Sequence, residues 1–136
     1  MSGGGSNGAW ESGVLWGLVN YGIPKDYKYD VVSGVSIGSI NASGLAVFAI
    51  GDELAAVDFI YSTWQSISSE DIYIEWPMGL VSSLYSESVY DTTPGFKTLK
   101  KMLAPFTEYK RAMSLSSVDI ETGAVVNLTE KNTPID

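Results

Sequence analysis

The chain has no histidine and no cysteine. Without imidazole, a Ser-His-Asp or Cys-His arrangement, a His-ligated zinc and an imidazole general base are all excluded within it. Without thiols, neither a disulfide framework nor a thiolate metal site can form, and the redox compartment is left open. Basic residues are scarce too: 8 Lys and Arg stand against 16 Asp and Glu, a formal charge of −8. Apart from Lys97, Lys100, Lys101, Lys110 and Arg111 the cations are isolated. That is a poor footprint for nucleic acid, whose phosphates call for a dense basic face. It also disfavours electrostatic adhesion to anionic lipid, so contact with a bilayer would have to come from apolar and aromatic side chains. No run of about 18 apolar residues is present to span a membrane. The opening five residues have neither the basic n-region nor the apolar run of a signal peptide. The expectation is a soluble, cytoplasmic protein, peripheral at any membrane it meets.

What is present is enough for one domain: 136 residues, 45% of them hydrophobic, can bury a single core of modest size. No internal repeat occurs, and the one low-complexity stretch is the Gly/Ser run at residues 2–6. Over residues 8–21, Trp10, Val14, Leu18 and Tyr21 recur at helical spacing, with Gly22 and Pro24 as the stop. Residues 29–32 read as a short strand. Residues 37–50 are small and apolar almost all round, the pattern of a helix inside a protein, with Gly51 ending it. Asp52 is placed to cap a further helix whose stripe is Leu54, Val57, Tyr61 and Trp64. Residues 66–93 read mostly as loop with short helical turns. Thr93 and Pro94 signal a helix start, Phe96, Leu99 and Leu103 line one of its faces, and Pro105 ends it. Residues 111–120 and 124–128 read as a hairpin turning at Thr122 and Gly123. This order of elements is that of an α/β protein.

Two segments carry chemistry. Gly34-Val35-Ser36-Ile37-Gly38 is a G-x-S-x-G element placed where a strand gives way to a helix. A nucleophile elbow needs a strained turn there, with glycines on either side because a Cβ would collide with the neighbouring strand or helix. Ser36 is then the candidate nucleophile, and the N-terminus of the following helix favours an anionic intermediate beside it. The second segment, Gly3-Gly4-Gly5-Ser6-Asn7-Gly8, opens the first helix, and its backbone N–H groups can converge on an oxyanion or a phosphate. It also fits G-x-G-x-x-G, with Asp30 at the sequence distance of a ribose contact, so a nucleotide-binding domain is a competing reading. Asp30, however, starts its strand, and the ribose contact needs a strand's C-terminal end. Trp10, Trp16, Trp64, Trp76, Tyr61 and Tyr73 read as core aromatics before they read as an acyl pocket. Glu70, Asp71 and Glu75 read as a solvated acidic loop rather than a cation site. The glycosylation sequons at Asn41 and Asn127 read as chance matches, the first because its helix should be buried.

Taken together, the glycine loop, helix, strand, Gly-Val-Ser-Ile-Gly-Ser-Ile-Asn-Ala at residues 34–42 and the small-residue helix resemble the opening half of a patatin-like phospholipase domain. Residues 83–103 and 113–128 also look like that family's variable middle and its strand pair around a Thr-Gly turn. The resemblance implies a three-layer α/β/α fold and a lipid acyl hydrolase with a Ser-Asp dyad, no histidine and no cofactor. Ser36 matches the nucleophile between Gly34 and Gly38, and Gly3, Gly4 and Gly5 match the oxyanion loop. The implied partner is a phospholipid or neutral-lipid ester at a membrane or lipid-droplet surface. A non-catalytic lipid-binding or scaffold relative is the alternative within the same fold.

There are three departures from the pattern. Asn7 stands where the family usually has Arg or Lys. Only Met1 and Ser2 remain of the strand that precedes the glycine loop. No Asp is followed by Gly, so Asp91, Asp119 and Asp136 all fail to match the second member of the dyad. The expectation is that residues 1–136 form part of one such domain, lack its first strand and its catalytic Asp, and are inactive alone.

Overall fold

A computed structural model of the protein describes residues 1–75 and 90–135. In chain order the elements are α1 (Asn7–Tyr21), β1 (Val31–Val35), α2 (Ile37–Ala46), α3 (Glu53–Ser66), β2 (Ile74–Glu75), β3 (Tyr90–Asp91), α4 (Thr93–Leu103), β4 (Ala112–Val118) and β5 (Val125–Thr129). Short 3-10 turns occupy Pro24–Tyr27 and Ser69–Asp71. The main sheet runs β1-β4-β5, with β1 parallel to β4 and β4 antiparallel to β5, and β2 pairs antiparallel with β3. The protein is thus α/β with a mixed sheet, as its element order predicts.

Register decides which face of the sheet is dry. Val32 pairs with Met113, Gly34 with Leu115 and Leu115 with Leu128, so these residues share one face. Ala42, Leu45 and Ala46 of α2 belong to the same buried cluster, with Ala56, Val57 and Ile60 of α3 behind them. Each buried Leu, Ile, Val or Met here contributes about 1.5–3 kcal/mol relative to exposure. On the other face Val31, Val35, Val118 and Val125 are exposed. Among the described residues, the layers present are the sheet and the helices on its buried face.

Several sequence expectations shift. The apolar stripe of α1 faces outward: Trp10 is 73% and Tyr21 83% exposed, with Val14 and Leu18 also exposed. The helix packs instead through Gly8, Ser12 and Val19. Small residues permit the closer approach, since a Cβ on Gly8 would lie 2.8 Å from both Ile37 and Trp64. In α3 the inner stripe is Glu53, Ala56, Val57 and Ile60, and Leu54 is exposed. Of the aromatics expected in the core, Trp10 and Tyr73 are exposed. Trp16 stacks on Tyr61 at 5.2 Å and donates to Asp58 at 2.6 Å. Trp76, and the part of the expected loop at residues 76–89, lie outside the described residues.

The strand expected at residues 29–32 lies at Val31–Val35, reaching to the edge of the G-x-S-x-G element. Asp52 and Thr93 do not cap as expected. Glu53 accepts from Gly51 N at 2.9 Å, and Asp91 accepts from Thr93 N at 2.9 Å, so the carboxylate one residue later or two residues earlier satisfies the turn. The hairpin turn does fall at Thr122 and Gly123, where Gly123 takes φ 70°. Asp119 Oδ1 closes this turn by accepting from Glu121 N and Thr122 N at 2.9 and 3.0 Å.

The helix expected to reach residue 50 ends at Ala46. The reason is tertiary. Lys110 N donates to Ala46 O at 2.7 Å, and the buried Arg111 guanidinium donates to Phe48 O, Ala49 O and Tyr29 O at 3.0, 2.7 and 3.0 Å. Its remaining charge meets Glu53 at 3.1 Å, with the two side chains 0% and 6% exposed. Lys110 N, just ahead of β4, therefore takes the carbonyl that Ile50 N would use in a longer helix, and Arg111 satisfies the carbonyls just past the helix end.

Two measurements test this framework. Arg111→Ala leaves Glu53 buried and unpaired and should cost about 3–5 kcal/mol, read as a lower urea midpoint at unchanged slope. Hydrogen bonds from the backbone of Thr122 and then Glu121 hold the Asp119 carboxyl below its ordinary value. Its contribution is therefore present above the ordinary carboxylate range, near 3.9, and is lost as pH falls through the lower folded-state value. Hairpin amide protection, taken relative to intrinsic exchange at each pH, should fall on acidification below the ordinary carboxylate range, and the non-titrating Asp119→Asn should show a flatter profile.

Candidate active site

Ser36 sits between β1 and α2 with φ 54° and ψ −128°, and is the one non-glycine residue with positive φ among the described residues. Such a backbone costs of order 1–3 kcal/mol and persists where its surroundings dictate it. The surroundings are glycines. A Cβ on Gly34 would lie 2.3 Å from Gly38 O and 2.7 Å from Ser39 Cα, and one on Gly38 would lie 2.6 Å from Ser2 O. These are backbone atoms with nowhere to go, so β1, α2 and the start of the chain approach as closely as they do because both positions lack a side chain.

The glycine loop comes to the same place. A Cβ on Gly3 would stand 3.1 Å from Ser36 Cβ and 3.8 Å from Ser36 Oγ. Gly4 has φ 138° and Gly5 φ 57°, which turn the chain into α1. Asn7 N and Gly8 N bond back to Gly4 O and Gly5 O at 3.2 and 3.0 Å. No bond to a described residue uses the N–H groups of Gly3, Gly4 or Gly5. Ile37 N, at the first position of α2, has no intrahelical partner either. Gly3, at the start of the glycine loop, and the N-terminus of α2 thus both lie beside the Ser36 side chain.

Met1 takes a strand-like place beside β1: its ammonium donates to Ser33 O at 2.7 Å and its carbonyl accepts from Val35 N at 3.4 Å. Asp30 precedes the opposite end of β1, roughly 17 Å away at strand rise, which separates it from the glycine loop that a ribose contact would require. Asp91 and Asp119 are occupied in their own turns, and Asp136 lies outside the described residues. No hydrogen bond links Ser36 Oγ to a described residue. Asp71 closes a capping box with Ser68, accepting from its N–H and its Oγ at 2.8 Å each.

Beside the elbow lies an apolar cavity of about 310 Å³ between α2, α3 and α4, walled by Ile37, Ile40, Ile60, Trp64, Phe96 and Leu99 among others. A second, of about 560 Å³, joins Gly5 to Ile37, Trp64, Ile67 and Ile72. The two share Ile37, Trp64, Ile67 and Ile72, so apolar surface runs from the glycine loop into the helical layer.

Sequence reasoning placed Asn41 in a buried helix but gave its side chain no role; it is fully buried in α2. Its Nδ2 donates to Gly8 O at 3.0 Å and to Glu11 Oε2 at 2.8 Å, and its Oδ1 accepts from Trp64 Nε1 at 2.8 Å. The available signal was the amide itself: a polar side chain amid the apolar run of residues 37–50 must find partners once buried.

Stability separates the glycines and tests the strain. Gly34→Ala should lose about 3 kcal/mol or more. Gly13→Ala and Gly17→Ala, whose added methyls meet nothing within 4 Å, should gain about 0.5–1 kcal/mol. Ser36→Gly should unfold at higher urea than Ser36→Ala, by of order 1–3 kcal/mol; equal midpoints would mean that the backbone at residue 36 is relaxed.

A family model described as patatin-like phospholipase matches residues 1–132. No curated protein and no solved structure matches the chain. With 132 of its 136 residues inside the family match, and an α/β architecture of the kind the family implies, the chain belongs to the patatin-like phospholipases, a family of lipid hydrolases.

Proposed function

We propose that the protein hydrolyses acyl esters of lipids with Ser36 as nucleophile and the amides of Gly3, Gly4 and Gly5 as its oxyanion hole. The observation that carries this reading is the strained Ser36 backbone set against a loop of free N–H groups. Ser36 Oγ attacks the ester carbonyl carbon and gives its proton to a carboxylate. The tetrahedral oxyanion rests on the glycine amides. As the C–O bond breaks, the leaving alcohol takes up that proton and an acyl-serine remains. Water then adds by the same route and releases the fatty acid. The apolar cavities beside Ile37 are of a size and chemistry to receive the acyl chain. The net charge of −8 supports approach to a neutral lipid surface through apolar side chains rather than by charge attraction.

The family resemblance makes the proton acceptor a carboxylate, and residues 1–136 hold no histidine to take that role instead. No Asp of this chain has the expected Asp-Gly context, and no described carboxylate bonds Ser36. We place the dyad's Asp outside residues 1–136, so that this segment by itself turns over slowly or not at all.

Labelling of the full-length gene product by an alkyl fluorophosphonate, beside its Ser36→Ala variant, tests the assignment. The wild type should be labelled at Ser36 and the variant should lose at least about two orders of magnitude in rate. Equal labelling of both proteins would remove Ser36 from the chemistry and favour a lipid-binding scaffold.

A further inference from the structure

The Gly3–Gly5 amides can serve Ser36 only if the loop is held at a fixed height above the start of α2, and a glycine run is poorly suited to holding itself. One side chain reaches across the gap. Glu11, one helical turn into α1, accepts from Ser2 N at 3.0 Å with Oε1 and from Asn41 Nδ2 at 2.8 Å with Oε2. Ser2 is the residue immediately before Gly3. Asn41 lies on α2 little more than a turn from Ser36, and its other amide contacts are Gly8 O, at the far end of the loop, and Trp64 Nε1 on α3. The loop is therefore gripped at both ends, Ser2 and Gly8, from a single buried amide on the helix that begins at Ser36.

We infer that Glu11 and Asn41 are positioning residues which lock the glycine loop in register with Ser36. The catalytic side of this inference rests on the function proposed above, whereas the clamp itself does not. Asn41 uses both donors and its acceptor, and Glu11 uses an oxygen in each direction, so no member can be replaced by a group of different polarity without loss. In Glu11→Gln a single oxygen cannot accept from both Ser2 and Asn41, and the new NH₂ must oppose an N–H on one side. Trp64→Phe removes the N–H that donates to Asn41 Oδ1 while leaving an aromatic ring on the wall of the apolar cavity.

The test compares the wild-type full-length product with Glu11→Gln, Trp64→Phe and the double variant. Two readouts are taken: saturation kinetics of fluorophosphonate labelling, and amide hydrogen exchange resolved by peptide. Glu11→Gln should lower the limiting labelling rate by roughly 10- to 100-fold, with little change in the half-saturating concentration. Exchange should accelerate at the hydrogen-bonded amides of residues 2–8, those of Ser2, Asn7 and Gly8, while β4 and β5 keep their protection. Trp64→Phe should act in the same direction by a few-fold, and the double variant should fall short of the product of the two because both act through Asn41. Unchanged exchange in residues 2–8 of Glu11→Gln would overturn the inference. So would a uniform acceleration that includes β4 and β5, since that marks a general loss of stability. If the wild type is not labelled at Ser36, the proposed function fails, and the exchange data still decide for or against the clamp.

Discussion

Residue 36 occupies a backbone conformation that an L-residue adopts only under compulsion, and much of the surrounding structure supplies that compulsion. With φ 54° and ψ −128°, Ser36 forgoes of order 1–3 kcal/mol. In return its side chain stands at the junction of a strand end, a helix start and a glycine loop. Three bare backbone positions make the junction possible: Gly34 against Gly38 and Ser39, Gly38 against Met1 and Ser2, and Gly3 against Ser36. A methyl group at Gly34 or Gly38 would press on backbone rather than on a flexible side chain, so β1 or α2 would have to move. The chemistry proposed for the site depends on this approach more than on any single hydrogen bond.

A strained turn stays strained only if both arms are anchored. One arm, β1, is fixed at its leading end by Arg111, whose guanidinium holds Tyr29 O, and along its length by β4. The other arm, α2, is fixed just past its C-terminus by the same guanidinium at Phe48 O and Ala49 O, and midway by Asn41. Burying Arg111 with Glu53 carries a desolvation cost that an ion pair does not always recover. Here the guanidinium also satisfies three carbonyls, which is the condition for such a pair to be tolerated. Among the described residues no buried side-chain nitrogen or oxygen lacks a partner.

Local and tertiary demands conflict most openly in α1. Its sequence offers a stripe of large apolar residues, yet the helix turns Trp10 and Tyr21 to the outside and buries Gly8 and Ser12. A helix packed on its large residues would stand too far from α2 for Glu11 to reach Asn41 or for Gly8 O to accept from it. Close contact through small residues brings the glycine loop over the elbow, and the cost is apolar surface left facing outward.

The sequence alone determined the elements that depend on short-range chemistry. The elbow motif at residues 34–38, the glycine loop running into a helix, the Thr122-Gly123 turn and the α/β order all rest on neighbours within a few positions. That no histidine within residues 1–136 takes part follows from composition. Tertiary structure alone decided what depends on distant partners. The end of α2 is set by donors more than 60 residues away in the chain. The buried faces of α1 and α3 are set by how closely helices can approach, which periodicity does not record. The union of Glu11, Asn41 and Trp64 over 30 and 23 positions is invisible to any local pattern, because hydrogen bonds between helices are fixed by the packing that brings them together.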